Sequence, residues 1–361
     1  VATIYDVAKK AGVSPKTVSR VLNGDAPVNE KTREAVHAAM AELNYIPSSA
    51  ARSMRSQKSG LIGMITGAIS ASPSAAEAIG LPEIFLVQGV QRVLAENGMT
   101  LLISDTGGHR DRVPTLIKTL LEHRVEGLIY VAEWHQEVDF AGLLGGRHAV
   151  LVNCFDSHGT PSVVPDDEGG QHALVSALVA RGHRRIAFLT LPESLVARGL
   201  RLAGYRRALG EAGIAYDDDL VVTAAISDPA HEFDYLWDAL DRVLNLDPKP
   251  TVICCANDKM AMRVYALLRD RGLKVGEDIS VAGYDDYRII TEHIDPALTS
   301  AELPYAAMGM RGAEKLMRLI GGTTRPNEPL KELVSGPLAW RHSVKDLKET
   351  VTSFKTRRRD L

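Results

Sequence analysis

The sequence predicts a small all-α head followed by an α/β body of two doubly wound lobes. Three observations carry that expectation. Helical periodicity with capping signals runs through residues 3–43, and from Gly60 onward short apolar runs alternate with amphipathic stretches. The chain's 361 residues also exceed what one core organises, since domains usually hold ~100–200 residues.

Composition narrows the classes. With 45% hydrophobic and 24% charged residues the chain is neither disordered nor collagen-like. Its longest apolar runs, such as 125–132 and 149–155, fall far short of the ~20 residues of a membrane helix. Cys154, Cys254 and Cys255 make no disulfide framework and lack zinc spacing, which predicts a reducing cytoplasm and no metal. No charged start with an apolar stretch and cleavage site opens the chain, so secretion is not expected. The net charge of −3 hides an asymmetry: residues 1–59 hold nine Lys/Arg against five Asp/Glu, and the remainder carries −7. A basic head on an acidic body points to a polyanion bound at one end.

In TIYDVAKKAG, Ile4, Val7, Ala8 and Ala11 share one face of a helix that Thr3 caps and Gly12 ends. Ser14-Pro15 then supplies a cap and a proline at the first helical position. The helix over 15–23 turns Val18, Val21 and Leu22 inward and leaves Lys16, Thr17 and Arg20 outside. Asn29 caps a third helix, with Val36, Met40 and Leu43 spaced for burial and Pro47 closing it. Two short helices joined by a tight turn, with polar residues on the second, form the helix-turn-helix pattern. The alternative is a three-helix bundle whose basic residues only solvate it.

The run IYDVAKKAGVSPKTVSRVLNG, then KTREAVHAAMAELNYIP, closely resembles the head of the lactose repressor (LacI/GalR) family of bacterial transcription regulators. The resemblance implies that the helix over 15–23 enters the DNA major groove. It turns Pro15, Lys16 and Arg20 toward base edges and sets Thr3, Ser14, Thr17, Ser19 and Asn23 at phosphates. The chemistry agrees, because arginine suits guanine O6/N7 while hydroxyls and helix N-termini suit phosphate oxygens. Pro15 has no hydrogen-bonding side chain, so readout rests on Lys16 and Arg20.

Residues 48–58, SSAARSMRSQK, read alone as a flexible basic linker or as a short helix with Ala50, Ala51 and Met54 along one side. In the family this segment is a hinge helix that pairs with its two-fold mate in the minor groove and wedges a leucine into the central base step. Here Met54 stands where the family usually has leucine, and methionine is among the side chains able to wedge. Ala51, Arg52 and Arg55 are the expected neighbours at the groove.

In the body, apolar runs at 61–65, 100–104, 127–131, 149–153, 185–190, 251–256 and 279–284 predict parallel strands. Amphipathic segments between them, such as 85–97, 112–124, 169–181 and 257–272, predict covering helices. No G-x-G-x-x-G opens a helix after a strand, and no Walker A loop or G-x-S-x-G elbow occurs. The histidines lack ligand spacing, and vicinal Cys254-Cys255 sit in an apolar strand, so neither catalysis nor a cofactor is expected.

GHRRIAFLT, LRLAGYRRAL, ANDKMA and VAGYDD extend the resemblance to the family's ligand-binding core. That core resembles periplasmic sugar-binding proteins: two Rossmann-like lobes, three crossovers, and an effector clamped between. Asn257-Asp258 and Asp285 follow the strands at 251–256 and 279–284, and so fall at the rim where open α/β sheets bind ligands. Helix capping is the competing role for Asp258. The resemblance implies effector contacts from Arg201, Asn257 and Asp285 in the second lobe, Asn153 or Asp156 at the interlobe edge, and Tyr305 on the floor. Glu133, Trp134 and His135 follow the strand at 127–131 and are expected to face the cleft from the first lobe, with Trp134 stacking on a sugar or merely packing. Residues 69–85 depart from the family pattern as an insertion of roughly a dozen residues, a length at which loops are often functional.

The expected organisation is a head at 1–46, a hinge at 47–59, a core at 60–345 and a tail at 346–361. Within the core the first lobe takes about 60–165 and 297–322, and the second about 166–296 and 323–345. The tail's Val344, Leu347, Val351 and Phe354 keep heptad spacing that Arg358 breaks, which predicts a solvated tail. The whole implies a cytoplasmic, nucleoid-associated homodimeric regulator on a palindromic double-stranded operator, released by a sugar, with a disaccharide such as sucrose or maltose expected. Action with a co-repressor, activation, a receptor with no DNA role, and a Rossmann-type enzyme are the alternatives.

Overall fold

The computed structural model describes residues 2–24, 27–46, 58–67, 83–139, 142, 144, 146–225, 232–323, 325 and 328–348. The chain divides after Gly60 into two compact units. The expected hinge residues Ala51, Arg52, Met54 and Arg55, most of the 69–85 insertion, and the tail beyond 348 lie outside the described residues.

The first unit holds α1 (Ile4–Ala11), α2 (Pro15–Asn23) and α3 (Glu30–Glu42). Each begins where its cap dictates. Thr3 and Asp6 form a reciprocal capping box, Ser14 accepts from the Thr17 amide, and Asn29 accepts from the Thr32 amide. Gly12, at φ 65°, ends α1 in the left-handed conformation that costs glycine least. Val7, Ala8, Val18, Val36 and Ala39 are buried at the centre, and Val21, Leu22, Met40 and Leu43 pack around them.

The second unit contains two six-stranded sheets. Its first lobe begins with β1 (Leu61–Thr66), α4 (Glu83–Glu96), β2 (Thr100–Asp105) and α5 (Val113–Glu122), and continues with β3 (Gly127–Glu137), β4 (His148–Phe155) and β5 (Ser162–Pro165). The second lobe takes α6 (Asp167–Ala180), β6 (Ile186–Thr190), α7 (Val196–Glu211), β7 (Val221–Thr223), α8 (Glu232–Leu244), β8 (Val252–Cys255), α9 (Asp258–Asp270), β9 (Ser280–Asp285), α10 (Arg288–Thr291) and β10 (Thr299–Glu302). The chain then returns through α11 (Tyr305–Gly321) and β11 (Lys331–Val334) before β12 (Leu338–Ala339). The sheet orders are β11-β5-β4-β3-β1-β2 and β12-β10-β9-β8-β6-β7. Among the described residues all strand pairings are parallel except β10 with β12.

The apolar runs became central strands for the expected reason: β1, β8 and β9 are almost wholly buried, as strands covered on both faces must be. The lobe boundaries need correction. β10 belongs to the second sheet, so the return crossing comes between Glu302 and Tyr305 and not at 296–297. β11 belongs to the first sheet, so the stretch through Val334 joins the first lobe and not the second. Both strands have four residues and polar members, too little apolar pattern to mark their sheet.

In the first lobe α4 and α11 meet backbone to backbone. A Cβ on Gly89 would stand 2.2 Å from the Ala306 carbonyl oxygen, and one on Gly309 would stand 2.2 Å from that of Leu86. Only glycine permits this approach.

Candidate ligand and nucleic-acid sites

In the head, Lys16 and Arg20 lie one turn apart on α2 and are exposed, while Val18 between them is fully buried. Thr17, Ser19 and Pro15 are half-buried beside them. The surface therefore presents two cations on the outer face of a helix fixed from within. The Thr3 hydroxyl donates to Asp6 at 2.7 Å, so it serves the cap before any phosphate. The Ser14 and Thr17 hydroxyls stand 2.9 Å apart at the start of α2. Asn23 ends the helix, and its side chain lies outside the described atoms.

In the body the two sheets bring several expected residues together. Arg201, on α7, is buried, and its Nε donates to Asp167 Oδ1 at 2.7 Å. A second guanidinium nitrogen donates to the Ala256 carbonyl at the end of β8, and the guanidinium lies 3.6 Å over the Tyr284 ring. Burial works against this charge, but Asp167, then Tyr284 and Asp285, raise the Arg201 pKa. Burial alone would likewise lift Asp167, yet Arg201 and His135 hold it below its ordinary value. Arg201 is thus a permanent cation pinned between a carboxylate and an aromatic face.

Asp285 ends β9 at φ 111°, a backbone strain stored at a strand terminus. Burial pushes its pKa up to about 7; Arg201 opposes the rise and Asp167 adds to it. Beneath it, Asp258 accepts from the Ser300 hydroxyl and the Tyr287 amide, both at 2.7 Å. Burial, then the charge of Asp285, raise the Asp258 pKa strongly. The two carboxyl groups resist being ionised together.

Other residues act behind this surface. Asn257 caps α9 by accepting from the Met260 amide at 2.7 Å, so the cap is Asn257 and Asp258 is the first helical residue. Asn153, at φ 60°, turns its amide onto the Ala132 carbonyl at 3.0 Å. Asp156 closes its own turn by accepting from the His158 and Thr160 amides. His135, expected to face the cleft, reaches the group that holds Arg201. It is buried, with Nδ1 2.7 Å from Asp167 Oδ2, because β3 continues past a register shift between Val131 and Gln136 and carries the ring inward. Trp134, its neighbour, is 48% exposed. Glu133 lies over Gly67 and pairs with Arg110 at 3.4 Å.

A pocket of about 260 Å³ opens beside Asp285, walled by Tyr305, Phe85, Arg288, Glu302 and Leu303. The hydroxyls of Thr106, just after β2, and Thr190, ending β6, are buried without a partner among the described residues. Buried polar groups are normally satisfied, so two orphans at strand C-termini fit a site completed by ligand or water. Among the described residues no group of His, Cys, Asp and Glu is arranged to hold a metal. The three cysteines are buried with raised pKa values, the mark of unreactive thiols.

Sequence reasoning missed Asp167. The signal was present in VPDDEGG, where an acidic pair follows a strand and opens a helix, but its partners lie 32 and 34 residues away.

Comparison with known proteins assigns the class. Residues 3–48 match the family of bacterial regulatory proteins, lacI family, and residues 175–344 match the periplasmic binding protein-like domain. The HTH-type transcriptional repressor PurR of Vibrio atlanticus (strain LGP32) is 32% identical over 324 residues, covering 88% of this chain and 92% of that protein. The crystal structure of the lac repressor dimer bound to operator and the anti-inducer ONPF superposes with a TM-score of 0.77 at 31% identity, covering 95% of this chain and 99% of that one. A transcriptional regulator CelR–cellobiose complex superposes at 0.64 with 30% identity, over 95% and 100% of the two chains. The chain belongs to the lacI family of bacterial regulatory proteins. It is a ligand-responsive DNA-binding repressor, and its relatives are transcriptional repressors, not enzymes. No described helix is long and apolar enough to cross a membrane.

Proposed function

We propose that this protein represses genes of sugar uptake or breakdown as a cytoplasmic, nucleoid-associated homodimer, and that a sugar in the cleft releases it from a palindromic operator. The observation that carries the reading is the grouping of Arg201, Asp285 and the Asp285-side pocket at the C-terminal ends of the second sheet's strands. A fixed guanidinium and a carboxyl that both donates and accepts near neutrality suit vicinal hydroxyls, and exposed Trp134 suits the apolar face of a pyranose. The Arg201 charge is already balanced by Asp167, which disfavours an anionic ligand. A disaccharide such as sucrose or maltose is the expected effector; the structural neighbour solved as a cellobiose complex supports that size class. Two copies of the head imply two half-sites.

Calorimetry with sucrose, maltose, cellobiose and their monosaccharides, joined to operator gel shifts, tests the proposal. The informative variant is Asp285→Asn, because Arg201→Ala would leave the buried Asp167 carboxylate without its main partner. Asp285→Asn is expected to keep the operator but lose sugar binding and sugar-driven release. Undiminished sugar affinity would place the effector elsewhere, and tighter operator binding with sugar would identify a co-repressor.

A further inference from the structure

Three side chains from three elements stand in one buried line across the lobe boundary. His135 comes from β3 of the first lobe, Asp167 opens α6 of the second, and Arg201 sits on α7. The Asp167 carboxylate gives one oxygen to each neighbour, both at 2.7 Å, and its side chain is 0% exposed. An ionised carboxylate only accepts, so the His135 Nδ1 carries the hydrogen of this bond. The imidazole is itself held in place: it meets the Phe155 ring edge-on at 5.8 Å, and Asn153 holds the Ala132 carbonyl three residues before it. The first lobe thus supplies a rigid donor to the group that orients the Arg201 guanidinium.

We infer that His135 is a positioning residue, which acts through Asp167 to fix the plane of Arg201 and so makes the arrangement of the two lobes felt at the ligand-facing arginine. This rests on the proposed role of Arg201 in the effector site. Arg201 is also held by the Ala256 carbonyl and the Tyr284 ring, so what His135 adds is a restraint on the carboxylate. Held by Arg201 alone, the carboxylate can turn about its χ angles and change the angle at which it meets Nε; held from both lobes, it cannot. The effect is reciprocal. A ligand that engages Arg201 in this orientation favours the lobe arrangement in which His135 reaches Asp167, by the same free energy that the contact lends to binding.

The experiment compares His135→Phe, which keeps a ring against Phe155 but removes Nδ1, with His135→Ala and with His135→Asn, whose amide restores a donor. Full-length protein is used, and the Arg201 Nε–H is followed by proton exchange in nitrogen-labelled samples, with maltose binding measured in parallel. His135→Phe is expected to speed exchange and weaken maltose binding by about tenfold, with His135→Asn recovering most of both. His135→Ala serves if the Phe variant does not fold. Unchanged Arg201 exchange in a folded variant lacking the donor overturns the inference. Exchange that speeds in a protein that never binds any sugar sustains it while defeating the assignment of the effector.

Discussion

Asp285 joins backbone strain, partial burial and a carboxyl neighbour at one position, and each has a measurable consequence. Its pKa stands at about 7 against an ordinary 3.8. Between those values the folded protein holds a proton that the unfolded chain has released, so stability falls as pH rises through that window. Sugar hydroxyls that donate to the carboxylate favour its ionised form. Binding should therefore release a proton, and affinity should rise with pH until it levels above neutrality. Calorimetry at pH 6 in two buffers of different ionisation enthalpy reads this directly, and identical apparent enthalpies would refute it. This position was legible, since a strand ending in VAGYDD puts an acid at the sheet rim. The His135–Asp167 bond was not. No local spacing links residues of different lobes, and a histidine after an apolar strand reads equally well as facing solvent.

At the level of single elements, α2 shows how a buried residue makes an exposed one useful. Val18 fixes the helix roll that turns Lys16 and Arg20 outward. Arg20→Ala is expected to cost about 1–3 kcal/mol at the operator and to relax preference at one base pair per half-site. Thr17→Ala should weaken many sequences alike; selection from random DNA separates the two. Helices α1 to α3 are readable because each carries its own cap, whereas the stretches that form β10 and β11 fall outside the lobe ranges expected for them because four residues carry no sheet address. The α4–α11 contact was equally hidden, since a glycine inside a helix reads only as a weak point. Gly309→Ala would push a methyl into the Leu86 carbonyl, and it should destabilise the body by about 1–3 kcal/mol in chemical denaturation. An unchanged midpoint would mean that the helices part freely.

Across the molecule, both sheets are finished by the same late stretch. β11 closes the first sheet's edge against β5, and β12 pairs with β10 in the second. The segment that follows is strapped to the second lobe: the Lys345 carbonyl accepts from His183, the Ser343 carbonyl from the Val281 amide, and Arg181 stacks 3.4 Å over Trp340. A chain ending at Gly322 should keep a protease-resistant head while its body is digested, and a resistant body fragment would contradict this. During synthesis, then, the head can leave the ribosome and fold long before either lobe has its last strand. An interrupted message would yield a nascent product with a finished head and an unfinished body, open to the cell's proteases. The order of elements thereby decides what a truncated chain leaves behind: a folded head that can still reach a gene's control site, without the body through which a ligand acts on it.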